Sequence, residues 1–155
     1  AHDQLLCEQP GLFETLRGDP DRIPPFVAEG LRLRAPTQGL STRTTSRDEV
    51  FQGVTVPAGS LLHLRFAAAN VDPAEFDCPL EFRLDRKAVS RHLTFSAGPR
   101  VCPGAGISRV EQNVAWERLT ARIARLAYAP GNTFLHQPGI MLGTLALVLD
   151  FERAG

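Results

Sequence analysis

A mostly helical α+β fold is what these 155 residues predict, and three observations predict it. Two apolar patterns of helical period fill the first third. Short β-type segments broken by glycine and proline follow over 40–66. A long amphipathic pattern then runs from about Gly104 to Ala127 and leads into a β-type tail.

The elements follow in order. Pro10 suits a first helical position; Leu12, Phe13 and Leu16 continue the pattern and Gly18 stops it. A second helix is expected from about Asp21 to Arg34, with Pro24 and Pro25 in its opening turn. Its Ile23, Phe26, Val27 and Leu31 recur at helical spacing, and Ala35-Pro36 ends it. Thr42, Thr44, Val50, Val54 and Val56, among the turn signals Gly53 and Pro57-Ala58-Gly59, predict a small antiparallel sheet that takes in LLHLRF. From Asn70 to Lys87 periodicity disappears, and an ordered loop pinned by aromatic residues is expected; unstructured loops of that length are uncommon unless functional. In the long helix, Ile107, Val110, Val114, Leu119, Ile123 and Leu126 form one apolar stripe. The tail GIMLGTLALVLDFE is expected to close as a β-hairpin.

Composition bounds the rest. A single domain of this length buries about 68–70% of its unfolded surface. Hydrophobic residues make up 43% and charged residues 22%, and 17 cations balance 17 anions. That balance gives no reason to expect nucleic acid or an anionic membrane as partner. No apolar run approaches a membrane span and nothing resembles a signal peptide; the cytoplasmic setting is expected because the few, scattered cysteines suit a reducing compartment. The three cysteines, Cys7, Cys78 and Cys102, are too few and scattered for a disulfide framework. The opening AHDQLLCEQP lacks an initiator methionine and starts inside an amphipathic pattern, which predicts a fragment or a processed chain.

FSAGPRVCPGAG, Phe95 to Gly106, places Cys102 just before a helix start. Unpaired N–H groups and the positive end of the macrodipole favour a thiolate there, and Gly98, Gly104 and Gly106 let the backbone wrap closely. The structural alternative is a buried free cysteine acting as a small hydrophobe. Three roles for a thiolate compete. A covalent nucleophile needs a histidine base; His63, His92 and His136 are present, but no cysteine-hydrolase signature surrounds Cys102. A zinc site needs more ligands at short spacing, and CxxC pairs are absent. A single-thiolate ligand to haem iron needs one cysteine, an apolar wall and cations for the propionates, and this role matches the surroundings.

FSAGPRVCPG fits the pattern FxxGxRxCxG, and this stretch resembles the cysteine loop of the cytochrome P-450 superfamily, the haem-thiolate monooxygenases. The resemblance implies the carboxy-terminal part of that fold: small antiparallel sheets, a meander loop, a cysteine-ligand loop and a long following helix. It implies haem b (iron protoporphyrin IX) as cofactor and Cys102 as axial iron ligand. Phe95 would pack beside the sulfur, and Gly98 and Gly104 would shape the loop. EGLR, Glu29 to Arg32, is similar to the family's ExxR; read by itself it is a solvated i,i+3 pair worth about 0.2–0.5 kcal/mol. By the same resemblance Arg43, His92 and Arg100 stand where propionate-binding residues occur, in keeping with the need of buried carboxylates for charge-assisted donors. The family commonly places an arginine before the phenylalanine of its proline-rich loop to complete a triad with ExxR. Here Glu81 occupies that position in Pro79-Leu80-Glu81-Phe82, so either Arg83 or Arg86 substitutes or the triad is weakened. Ser96 stands where a glycine is common.

The function implied is insertion of one oxygen atom of O2 into a small hydrophobic substrate, with electrons from a redox partner. Gly39, Leu40, Ile140 and Met141 are the implied substrate-facing positions. Residues 91–125 hold six arginines against two glutamates, a basic stretch that suits an acidic ferredoxin or flavodoxin. The expected organisation is one carboxy-terminal haem-ligating portion over 1–155 without an amino-terminal portion, inactive alone and prone to self-association. The rival expectations are a degenerate relative that binds no haem and acts as a structural or association module, and a haem-thiolate enzyme that uses peroxide.

Overall fold

The computed structural model describes residues 2–39, 41–132, 141 and 143–155. Four helices build the core. Helix α1 spans His2–Glu8, α2 Leu12–Gly18, α3 Ile23–Leu33 and α5 Ala105–Arg122; a single turn, α4, covers Phe66–Ala69. Leu5, Leu6, Leu12, Phe13, Leu16, Ile23, Phe26, Val27, Leu31 and Trp116 pack into one cluster, with Phe82, Leu84 and Phe95 against it. Phe26 lies at its centre, edge-on to Trp116 at 5.5 Å and to Phe82 at 6.2 Å. Burying such a ring contributes about 1.5–3 kcal/mol. Helix α3 therefore has neighbours on every side.

Pro10 lies outside α2, in a turn closed by Gly11 in a left-handed conformation (φ 79°), so the helix begins two residues later than its proline suggests. Before α3, Pro20–Arg22 form a 3-10 turn that leads straight into Ile23. The 40–66 region holds two ladders rather than one sheet. Strand β1 (Thr42–Thr44) pairs antiparallel with β4 (Leu61–His63), and β2 (Glu49–Phe51) pairs with β3 (Val54–Val56) in a hairpin between them.

The long helix ends at Arg122, five residues before the expected stop. Strand β5 (Ile123–Tyr128) follows directly and pairs antiparallel with β6 (Leu149–Arg153), Leu126 facing Phe151. Pairing with a distant strand overrides a helical period that continues in the sequence. The described part of the tail thus pairs with β5 instead of forming the expected hairpin with itself. Ile123 and Leu126 do reach the core, but from a strand. Ile107, Val110 and Val114 are exposed at 65%, 61% and 48%, while Ala105, Trp116 and Thr120 on the opposite side are buried. The expected stripe is therefore not the face that α5 packs inward. Among the described residues no helix is long and apolar enough to cross a membrane.

Candidate functional site

Beneath the cysteine loop lies a buried ionic knot. Arg32 grips Glu29 through two bonds, Nε to Oε2 at 2.8 Å and Nη2 to Oε1 at 2.7 Å, and neither side chain is more than 1% exposed. The remaining Arg32 donors go to the backbone oxygens of Asn70 (2.8 Å), Pro79 (2.7 Å) and Glu81 (3.3 Å). All five guanidinium N–H groups are thereby used. Glu29 and Arg32 are not the solvated helix pair that their spacing alone allowed.

Arg86 completes the set. Its Nε donates to Glu29 Oε1 at 2.7 Å, and its other donors reach the carbonyls of Asp77, Cys78 and Glu81. One carboxylate against two guanidiniums leaves a buried positive charge, and the loop carbonyls solvate it in place of water. This is why 70–87 is ordered with almost no regular structure. Phe76, buried under the Arg32 guanidinium at 5.1 Å, pins the loop from the other side. Arg83, the other candidate, instead pairs with Asp77 and Glu81 at the surface. Position 81 serves the triad through its backbone oxygen, so a glutamate there is no obstacle.

The loop above is bent by its backbone. Gly98 is left-handed (φ 68°) and opens the 3-10 turn Gly98–Arg100. Ser96 also lies in the left-handed region (φ 63°), which explains why a glycine suits that position. The Cys102 amide donates to the Phe95 carbonyl at 2.8 Å, which closes the loop on itself. Cys102 is exposed, which rules out the inert buried hydrophobe. Gly104 precedes α5, and a Cβ there would sit 3.8 Å from the sulfur, an ordinary contact.

Cys102, Phe95 and Arg100 line one cavity of about 380 Å³, together with Leu31, Thr37 and Phe66. The donor set fits a haem iron: one soft sulfur ligand, apolar walls and a guanidinium at the rim. Arg43 and His92 do not line that cavity. Arg43 is exposed on β1 and donates to the carbonyl of its neighbour Thr42. His92 is buried; its Nδ1 accepts the Thr94 amide at 3.3 Å, so the ring proton resides on Nε2. Burial, aided by the Arg109 and Arg32 charges, pushes His92 down to about 4. It is a neutral donor at neutral pH, not the cation that a charge-assisted contact needs.

Leu40 and Ile140 lie outside the described residues. Gly39 packs against His63 and Arg65: an added Cβ would stand 2.9 Å from Arg65 Cδ, and His63 Nε2 bonds the Gly39 carbonyl. Met141 is half exposed and meets Thr37 in an isolated antiparallel bridge, its Sδ accepting the Thr37 hydroxyl at 3.2 Å. The segment after α3 and the tail therefore do come together, but through Thr37, which sequence reasoning passed over. Arg109 was also passed over as a site residue. Its guanidinium lies 4.7 Å over the Phe95 ring, and its place one turn into the helix that follows the cysteine loop is the signal that was there to be read.

An exposed cysteine on a glycine-bent loop, backed by a buried Glu–Arg–Arg knot, thus stands at one wall of a cavity on an α+β scaffold. The family model for cytochrome P450 matches residues 24–122, and the chain belongs to that family. It is 37% identical over 121 residues to the beta-dihydromenaquinone-9 omega-hydroxylase of Mycobacterium tuberculosis, covering 78% of this chain and 24% of that protein. It is 35% identical over 118 residues to cytochrome P450 144 of the same organism, covering 76% and 27%. Among solved structures, substrate-free Mycobacterium marinum cytochrome P450 CYP150A6 superposes with a TM-score of 0.93 at 31% identity, covering 99% of this chain and 40% of that one. The chain thus spans about a quarter of the length of the curated relatives it matches.

Proposed function

We propose that this chain is the haem-ligating portion of a monooxygenase that inserts one oxygen atom of O2 into a small hydrophobic substrate. The carrying observation is Cys102, exposed on the wall that Phe95 and Arg100 share. Cys102 would supply the axial ligand to haem b, Arg100 a propionate contact and Phe95 an apolar wall beside the sulfur. His92, neutral and bearing its proton on Nε2, would serve a propionate only as an uncharged donor, and Arg43 only after its side chain leaves the Thr42 carbonyl. When bound, haem supplies oxygen activation, which a thiolate ligand promotes by pushing electron density onto iron.

Thr37 and Met141 would form the substrate-facing wall, with Gly39 behind it, and a relative named as a hydroxylase of a menaquinone derivative supports an apolar substrate. A ferredoxin or flavodoxin would deliver electrons. Of the six arginines between 91 and 125, Arg91 pairs with Glu75, Arg125 with Glu152, and Arg109 covers Phe95. With Arg100 given to a propionate, Arg118 and Arg122 stand exposed and would carry the docking charge.

Titration of the chain with iron protoporphyrin IX tests this. Saturable one-to-one binding with a thiolate-type absorbance, lost in Cys102→Ser, is expected. Identical spectra for wild type and Cys102→Ser would favour a relative that has lost haem ligation.

A further inference from the structure

Helix α3 ends in a way its own residues do not provide for. The last-turn carbonyls of a helix lack intrahelical partners. Gly30 O is met by the Arg34 amide at 2.9 Å, but Leu31 O and Arg32 O are met from far along the chain. Thr94 Oγ1 donates to Leu31 O at 2.7 Å, and Asn70 Nδ2 donates to Arg32 O at 3.2 Å. These two side chains are bonded to one another, Asn70 Nδ2 to Thr94 Oγ1 at 2.9 Å, and Asn70 Oδ1 accepts the Leu93 amide at 2.6 Å. Asn70 is 1% exposed and Thr94 9%.

The donor count fixes the chemistry. Thr94 spends its only proton on Leu31 O, so its oxygen can only accept from Asn70. Asn70 must then supply two protons, one to Arg32 O and one to Thr94, and still accept from Leu93. Only a primary amide does all three. A carboxylate at position 70 would point an oxygen at the Arg32 carbonyl and leave Thr94 Oγ1 without a donor.

We infer that Asn70 and Thr94 are positioning residues that clamp the carboxy-terminal end of α3 to the segment feeding the cysteine loop. The clamp grips residues 93 and 94, directly ahead of Phe95, whose carbonyl receives the Cys102 amide. It thereby ties the placement of the sulfur to the helix that carries Glu29 and Arg32. Its relevance to metal ligation rests on the haem-thiolate reading; the clamp itself does not.

Amide hydrogen exchange on the full chain tests it without haem. In Asn70→Asp, the Ser96 and Cys102 amides are expected to exchange at least tenfold faster, while those of β5 and β6 change less than twofold. Thr94→Val repeats the pattern and covers the case in which Asn70→Asp fails to fold; Thr94→Ser, which keeps the hydroxyl, restores slow exchange. Faster exchange spread evenly over the chain, or none at Ser96 and Cys102, overturns the clamp. With iron protoporphyrin IX added, Asn70→Asp is expected to lower the share of thiolate-type absorbance relative to wild type. A wild-type chain that takes up no haem sinks the functional reading and leaves the exchange result standing.

Discussion

Glu29 accepts from Arg32 and Arg86 together, and breaking a buried ionic set by removing one member costs about 3–5 kcal/mol. Arg86→Leu leaves Glu29 balanced by Arg32, so its expected loss in urea unfolding, about 1–3 kcal/mol, comes from the stranded Asp77, Cys78 and Glu81 carbonyls. Arg83→Ala is expected to leave the urea midpoint nearly unchanged, since its pairs are at the surface. Equal losses would return Arg83 to the triad. Ser96→Gly is expected to raise the melting temperature: relieving a left-handed serine gains about 1–2 kcal/mol, against about 0.5–1 kcal/mol of added chain entropy. His92 sets a pH dependence. Its folded value of about 4 lies below the unfolded 6.5, so the unfolded chain takes up the proton first. Stability is expected to be full above pH 6.5 and to fall as pH drops toward 4; His92→Gln should flatten part of that slope in urea titrations, with buried His2 contributing in the same direction. Cys102 and the Glu29–Arg32 pair were legible because short spacing carries them. Arg86 was not resolvable from Arg83, because the choice depends on a side chain reaching across 57 residues.

Helix α5 shows what periodicity can and cannot tell. Its existence was plain, but which face packs was not, because apolar residues lie on two sides. Trp116 and Ala105 go inward, and Ile107, Val110 and Val114 stay out. Apolar side chains left on that outer face would favour self-association. Ile107→Ser with Val110→Ser is expected to change stability by less than about 0.5 kcal/mol, as for other exposed positions, while lowering the apparent mass in sedimentation at high concentration. A loss of several kcal/mol would mean that this face is packed in solution. The β5 boundary escaped the sequence for a different reason: a strand partner at 149–153 is invisible to a local window.

At the scale of the molecule, the helical core, the carbonyl-wrapped knot and the cysteine loop form one continuous body. The knot holds the loop 70–87, the loop and α3 hold 93–94, and those residues lead to the thiol. The order of elements was legible because each carries its own period or turn residues. The distribution of cations around the cavity was not, since a position in sequence says nothing of whether an arginine faces a cavity or its own neighbour's carbonyl. The central claim is that the Cys102 sulfur is an iron ligand. The reduced carbon monoxide difference spectrum of the haem-loaded chain reads that bond directly. A Soret band shifted strongly to the red, absent in Cys102→Ser, is the expected result; a band at the position of neutral-ligand haem proteins, unchanged by Cys102→Ser, would contradict it.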